Sequence, residues 1–541
     1  MTTLEHTILP HGNGPFRTLG WGPGEAHQLL GGAAAGVTPS RLVGLTALWH
    51  LTDVHVLDPA SPLRIPFLHR HTEPGGALRD ALGPLGAYRP HEPLTLHVLA
   101  AMLEAMARIE RSPLLGLPLE LIVASGDLID NAQHNELRRF LELAATDVAE
   151  TQPLGFADRW EGLGGEADGV DWSWHPEGPS RDVWRRERGF PELPGFFDAL
   201  RTPVRAPRPT LPALLVEGNH DVLIQGTVPP SSELAAFAQR GLAPIALKPD
   251  LDVAEVLRGH DHRAPDPRAL VAGARWRRVS PDPSRSHRRP GQAPFVHRRR
   301  IDLGWARLLV LDTANPFGGW QGSLAHETLT WLTTELETAH SVKVDDDGHL
   351  VACPGEDVPV ILVSHHPLET LVNPTVPRDV EPRHTRADVA HLLAHYPNVM
   401  AWLAGHTHRH RLRYERSPLG PFGIAHVTTA SLIDWPQQAR IVELAFDRDR
   451  GTLLIVSTVV DHTGSVNPLH EHDDDTLRWL AGISRLLAVN DPERLAASEP
   501  PGRAHPLDRN GIIEVPLAPR LAAVLARTTS RHGMPAPRVS S

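Results

Sequence analysis

Five short apolar runs, each stopping on a polar motif, constrain the fold of this chain more than any other feature. Residues 48–52 run into Asp53-Val54-His55, 119–124 into Gly126-Asp127-Leu128-Ile129-Asp130, and 213–216 into Gly218-Asn219-His220-Asp221. Residues 358–363 run into His365-His366-Pro367, and 399–404 into Gly405-His406-Thr407-His408. Runs this short, bounded by glycine or polar residues, suit strands buried on both faces. Polar residues gathered at the C-terminal ends of such strands describe a sheet with a site along one edge. Side chains two residues apart on an extended segment share a face, so Asp53 with His55, and His406 with His408, can converge on one point. Between the runs, residues 92–111, 325–340 and 385–396 keep apolar side chains near helical spacing. Strands alternating with helices predict an α/β layered fold.

The rest of the chain reads as additions to that frame. Residues 151–210 are rich in Gly, Pro and Trp with little periodicity, and residues 258–300 carry Arg275-Trp276-Arg277-Arg278 and Arg298-Arg299-Arg300. Both read as insertions. The first is expected over the loops of the site, as a lid or specificity element or as a partly disordered loop. The basic run reads as a solvated loop, with recruitment of an anionic substrate as the sharper alternative. Residues 423–429, 439–446 and 452–460 read as strands, the last two joined by the turn Asp447-Arg448-Asp449-Arg450-Gly451. The chain thus divides into a main domain over 40–465, carrying both insertions, and a helical C-terminal appendage over 466–541. Its helix opens near Asp473 and carries Leu477, Leu480, Ile483, Leu486 and Leu487. No internal repeat is present.

Composition removes several classes. With 41% hydrophobic and 22% charged residues, the balance is that of an ordinary globular protein. A formal net charge of −11 argues against broad nucleic-acid binding, because a duplex repels an acidic surface. Cys353 is the one cysteine, which excludes an intrachain disulfide and a thiolate metal site and favours a reducing compartment. The N-terminus has no basic start followed by an apolar run, and no stretch approaches the roughly 18 apolar residues of a membrane span. A soluble, cytoplasmic protein with no membrane partner is expected.

Histidine is abundant, at 33 residues, so histidine pairs alone are weak signals. Chance gives roughly two His-x-His pairs at this frequency. Five occur: His69/His71, His260/His262, His406/His408, His408/His410 and His470/His472. Order and placement at strand ends are what set the five motifs apart. Carboxylates, imidazoles and an amide oxygen are the ligands expected for Mn, Fe or Zn. Two such cations a few ångströms apart supply a nucleophile and neutralise charge in the hydrolysis of a phosphate ester.

The five-part set resembles the calcineurin-like metallophosphoesterase superfamily. The long insertions, with Asp312-Thr313, Ser431-Leu432-Ile433-Asp434-Trp435-Pro436 and Asp508-Arg509-Asn510, resemble a bacterial subgroup of it. Many members of that subgroup carry a twin-arginine export signal, which this N-terminus lacks. The resemblance spans residues 53–408, with a core running to about 460. It implies a four-layer α/β/β/α sandwich with long loop insertions and two divalent or trivalent metal ions. It also implies a small phosphomonoester or phosphodiester as partner, attacked by a hydroxide bridging the ions. Carried over by motif, Asp53, His55 and His408 would hold the first ion, Asp127 would bridge, and Asn219, His365 and His406 would complete the second site. His220 would contact the phosphate and protonate the leaving oxygen, with Asp130 holding His220 in its productive tautomer. In related sequences the ligand lies two residues before the proline, which favours His365 over His366.

Asn131, Gln133, His134 and His366 stand next to these motifs and are candidates to line the substrate pocket. His391 and His395 have the i, i+4 spacing of a helical zinc pair but lack the glutamate a metalloprotease would need, so they read as a helix face. The remaining pairs, His69/His71, His260/His262 and His470/His472, read as solvated loops. His410 reads as a surface residue at the start of a strand, close enough to touch substrate. Two other classes stay open. A nuclease of the same superfamily has the Arg-rich insertion in its favour and the acidic charge against it, and a non-catalytic metal-binding scaffold would keep the ligands without turnover.

Overall fold

All five apolar runs are strands, but they are shared between two sheets rather than lined up in one. The computed structural model describes residues 1–30, 42–72, 76, 79, 86–144, 150–165, 170–179, 182–221, 229, 231–247, 274–288, 293–470, 475–492 and 505–529, and the fold is mixed α/β. The strands of the two main sheets are β1 (Gln28–Leu29), β2 (Leu42–Leu51), β3 (Leu119–Ala124), β4 (Ala213–Leu215), β5 (Arg299–Asp302), β6 (Arg307–Val310) and β7 (Val360–Val363). They continue with β8 (Val399–Ala404), β9 (Arg411–Arg416), β10 (Gly423–Thr428), β11 (Gln438–Asp447), β12 (Thr452–Asp461) and β13 (Gly511–Pro516).

The seven-stranded sheet has the order β1-β13-β12-β11-β2-β3-β4, in which β2, β3 and β4 are parallel neighbours. The six-stranded sheet has the order β5-β6-β7-β8-β10-β9, in which β6, β7, β8 and β10 run parallel. In each sheet, therefore, the motifs leave neighbouring strands at the same end.

Alternation along the strands decides what each face meets. On β3, Leu121 and Val123 join a core shared with Ile361 and Val363 of β7, while Ile122 and Ala124 turn to the opposite face. That opposite face packs under the helices α1 (Thr95–Ala107) and α2 (His134–Ala144), through Leu99, Met102, Leu103 and Phe140. The second sheet does the same: Val360 and Leu362 pack against α3 (His326–Thr338) and α4 (Arg386–Ala394), through Leu332, Leu336, Val389 and Leu393. Each such side chain, fully buried, stabilises the fold by about 1.5–3 kcal/mol relative to exposure. The start of α4 is fixed by a capping box between Thr385 and Asp388.

Several expectations are corrected. Residues 151–210, expected as a lid or specificity element or as a partly disordered loop, pack in their described part: Trp174, Trp184, Phe190 and Phe196 form a small core with Tyr88 and Leu94. The same core takes in Leu480, Ile483 and Leu487 of α5 (Thr476–Ala488), so the insertion and the C-terminal helix bury each other's apolar faces. The segment beyond 466 is more than helical, because β13 lies between α5 and α6 (Pro519–Thr528) and enters the seven-stranded sheet. Arg275–Arg278 lie in a strand, Ala274–Arg278, paired with Leu242–Leu247, and Arg299 and Arg300 lie in β5. Residues 258–273 and 289–292 of that insertion, with His260, His262, His472 and Asp473, lie outside the described residues. His69 is buried, in the short helix His69–Thr72. Among the described residues, no helix is long and apolar enough to cross a membrane.

Candidate metal centre

Where the parallel strands end, the backbone turns sharply to aim polar side chains into the gap between the sheets. Seven non-glycine residues have positive φ among the described residues, and five of them are Asp53, His55, Asp127, His406 and His408. Each costs of order 1–3 kcal/mol and persists only where the surroundings hold it. Two glycines make room for the turns. A Cβ on Gly405 would lie 2.0 Å from the Thr52 hydroxyl and 2.5 Å from Asp53 Oδ2. On Gly126, whose φ is +99°, it would lie 2.5 Å from His365 Nδ1.

The side chains meet in two overlapping groups. In the first, His408 Nε2 is 3.1 Å from Asp53 Oδ1, and His55 Nε2 is 3.3 Å from His408 Nε2. In the second, His365 Nε2 is 3.1 Å from Asp127 Oδ2 and 3.0 Å from the Asn219 side-chain oxygen. Asp127 Oδ2 touches both groups, since it also lies 3.8 Å from His55 Nε2. The two sheets are tied here by the His406 N–H, which donates to Asp53 Oδ2 at 2.9 Å, while the Gly405 N–H donates to the His365 carbonyl at 2.9 Å between neighbouring strand ends of the six-stranded sheet. All seven motif side chains are buried or nearly so.

Tautomers decide what this arrangement can hold. His55 Nδ1 lies 3.2 Å from Asp130 Oδ1, and His408 Nδ1 lies 2.5 Å from Asp434 Oδ2. A carboxylate only accepts, so both Nδ1 atoms carry protons, and in the neutral rings both Nε2 atoms present lone pairs to each other. His365 repeats the pattern: its Nδ1 donates to the Ser125 carbonyl at 2.9 Å, leaving Nε2 toward two oxygens. His406 Nε2 and Asp53 Oδ1 are buried without a hydrogen-bonding partner. Acceptors turned on one another are stable only around a proton or a cation. Burial opposes charge on His55 and His365, yet the carboxylates around them outweigh it and hold the rings up at about 10 and about 9. Asp53, Asp127 and Asp130 go the other way: burial would raise them, but the facing histidines, and Arg64 beside Asp130, hold all three below the usual carboxylate range. Burial, reinforced by His365, holds His406 well below the usual histidine range, so its ring stays neutral and has one lone pair to offer. The donor set of carboxylates, imidazoles and one amide oxygen is compatible with metal ions.

The neighbouring candidates separate. His220 packs edge-on against His55, with ring centroids 4.5 Å apart, and its backbone N–H donates to Asp127 Oδ1 at 2.8 Å. Its Nδ1 donates to the main-chain oxygen of Asp130 at 2.9 Å, while the Asp130 carboxylate stands farther off at 3.4 Å. The expected support of His220 by Asp130 thus runs mainly through the backbone, and the carboxylate is occupied by His55 and Arg64. His366 lies tilted against His406, with ring centroids 4.3 Å apart, but both its ring nitrogens have protein partners, the Thr313 hydroxyl at 2.9 Å and the Trp320 carbonyl at 3.1 Å. Asn131 is buried with its amide on Ser61, Gln133 bonds the same Ser61, and His134 is exposed at the start of α2. Their contacts are with Ser61, Glu136 and Ser286 rather than with the cluster. His410 is a correction: it is 2% exposed, accepting from Arg440 at 2.9 Å and donating to Gln438 at 3.2 Å.

Several residues around the cluster had no role assigned from the sequence. Arg64 spans Asp130 and Glu92, at 2.6 Å to each. Arg89 reaches Asp434 at 2.7 Å, and its backbone N–H donates to Glu92 at 3.0 Å. A chain of ion pairs, closed by the Arg89 backbone hydrogen bond to Glu92, therefore joins the Nδ1 sides of His55 and His408. The indole of Trp320 lies over His406, with centroids 5.8 Å apart and planes 29° from parallel. Asp434 and Thr313 fall in segments that carried the subgroup resemblance, whereas Arg64 and Arg89 stand in loops with no pattern.

Neither a family model nor a curated protein matches the chain. Among solved structures, a dimetal phosphatase from Danio rerio is similar at 13% identity, covering 78% of this chain and 100% of its own, with a TM-score of 0.29. At that TM-score the likeness decides neither the fold nor the chemistry, which rest on the strand-end cluster itself.

Proposed function

We propose that the chain is a dinuclear metallophosphoesterase that hydrolyses a small phosphomonoester or phosphodiester. One observation carries this reading: buried ligand atoms of carboxylates and imidazoles converge on one another, with His55 Nε2 3.3 Å from His408 Nε2 and His365 Nε2 3.1 Å from Asp127 Oδ2. Asp53, His55 and His408 would hold one ion, Asn219, His365 and His406 the other, and Asp127 would serve both. The occupied nitrogens of His366 support His365 as the ligand. Two bound ions of Mn, Fe or Zn would supply an activated water at neutral pH and positive charge against the phosphate oxygens.

The chain's own residues do the rest. Asp130 and Asp434 fix which nitrogen of His55 and of His408 faces inward. Arg64 and Arg89 hold those carboxylates in place. His220, its ring set by the Asp130 carbonyl and its side chain 20% exposed, can reach a bound phosphate and give a proton to the leaving oxygen. Two sheets sharing one core, with helices over their outer faces, are what the α/β/β/α sandwich of such an enzyme would require. The test is direct. Asp127→Ala and Asn219→Ala should each abolish metal-dependent hydrolysis of an aryl phosphate while leaving the circular dichroism spectrum unchanged. Full activity in either variant would overturn the assignment.

A further inference from the structure

Helix α4 carries His391 in its last turn and His395 at its end. Four residues apart, the two lie one above the other on one face of the helix. Their ring centroids are 4.9 Å apart and their planes nearly perpendicular. Asp346 comes from the turn between two short paired strands, Val342–Val344 and Leu350–Ala352. Its carboxylate stands 3.6 Å from His395 Nε2, and ligand atoms of all three residues lie within 4.8 Å of one another.

Two features set this group apart from a chance meeting of polar side chains. His395 Nδ1 lies 2.6 Å from the Val344 carbonyl, which only accepts, so Nδ1 carries the proton and Nε2 offers its lone pair toward Asp346 and His391. A ring fixed through its other nitrogen is how metal-binding histidines are usually held. The turn is also fixed against the helix without any ion. The Val344 N–H donates to the His395 carbonyl at 2.9 Å, and Asp345 accepts from the Asp347 and His349 N–H groups at 3.1 and 2.8 Å.

We infer that His391, His395 and Asp346 form a surface site for a divalent transition cation of the Zn, Ni or Cu type. Two imidazoles select such ions over Mg or Ca, which take oxygen ligands. Ligands about 2.0–2.1 Å from a tetrahedral ion stand roughly 3.4 Å apart, so the side chains need only small rotations. The Asp346 side chain is 81% exposed and that of His395 16%, which leaves water to fill the remaining coordination positions. The negative end of the α4 dipole faces the same turn and favours a cation there. An ion at this site pins the 345–348 turn to α4, whose Val389 and Leu393 pack on the second sheet. Its effect is on stability, and it is independent of the proposed hydrolysis.

The experiment uses the full, untagged chain, stripped by chelator, dialysed against zinc and counted by elemental analysis. The double variant His391→Ala/His395→Ala should bind one zinc fewer per chain than the wild type, and zinc should raise its melting temperature less. Hydrolysis of an aryl phosphate should be the same in both. Asp346→Asn should weaken binding of that one zinc about tenfold. His326→Ala is the control, because His326 Nδ1 and His384 Nε2 form another exposed pair, 3.1 Å apart. It should bind as much zinc as the wild type. Equal zinc content and equal melting shifts in wild type and double variant would overturn the inference, as would loss of the same zinc in His326→Ala. The count is a difference between variants, so it reads out whether or not the strand-end cluster also holds metal.

Discussion

Replacing Asp434 by Asn isolates the contribution of a single carboxylate behind a histidine. Asp434 is 2% exposed; its Oδ2 accepts from His408 Nδ1 at 2.5 Å and, more weakly, from Arg89 Nη2 at 3.4 Å, while Oδ1 accepts from Arg89 Nε at 2.7 Å. Both partners are donors. Asparagine keeps the shape but has one oxygen and one NH2 group, so one donor must face another donor whichever way the amide turns. The lost contact is a charge-assisted hydrogen bond, with a net contribution of about 1.5–3 kcal/mol. The His408 ring is then free to tilt or to move its proton to Nε2, the atom that faces Asp53 and His55. Carried through to the ion, the loss corresponds to roughly 10- to 100-fold weaker metal affinity. Competition of apo-protein with a chromophoric chelator for Zn or Mn measures it. One ion should be weakened to that extent, the other changed less than about threefold, and the melting temperature should fall only modestly. Unchanged affinity for both ions in a folded Asp434→Asn protein would refute the chain of reasoning from carboxylate to tautomer to ligand.

Three other perturbations test separate parts of the account. Arg64→Met leaves Asp130 and Glu92 buried without their shared cation, and should cost about 3–5 kcal/mol in urea denaturation; a loss below about 1 kcal/mol would mean those carboxylates are solvated. Trp320→Ala removes an indole that is 38% exposed and lies over His406. For an aryl phosphate the Michaelis constant should rise about fivefold with a smaller change in kcat, as for loss of one aromatic contact of about 1 kcal/mol; equal kinetics would remove Trp320 from the substrate path. His97 is buried in α1 with neither ring nitrogen bonded, and burial pushes it down to about 4. Because the unfolded chain takes up that proton near 6.5, the contribution of neutral His97 is intact above 6.5 and lost as the pH falls toward 4, by about 3 kcal/mol at pH 4. His97→Leu should flatten the fall in stability over that window, and an unchanged pH profile would contradict it.

How much of this was legible in the sequence follows from what kind of interaction made each part. The ends of β3 and β8 fall where the apolar runs end, because a strand buried on both faces has no other pattern to offer. The same burial hides which sheet a strand joins. Val123 and Val363 meet in one core although they belong to different sheets, and no period of two can report that. The candidate ligands were legible as a group because the side chains that the structure brings together are the motif residues themselves. Arg64 and Arg89 were not, since each acts through a carboxylate distant in sequence from a loop without periodicity. His410 failed for a related reason: its burial depends on Arg440, a partner thirty positions away on another strand. The tryptophans of 151–210 gave no helical or strand period because they pack from loops and from helices of only five or six residues, against α5. β13 is hidden in the sequence because it lies beyond α5, with no turn linking it to β12, its partner in the sheet.

The central claim is that the strand-end cluster is built around two cations. Anomalous diffraction from crystals grown with Mn or Zn tests it most directly. Two peaks should lie within the cluster, one reached by Asp53, His55 and His408, the other by Asn219, His365 and His406, with Asp127 touching both. A map with no anomalous peak there, and Nε2 of His55 and His408 still 3.3 Å apart, would contradict the account.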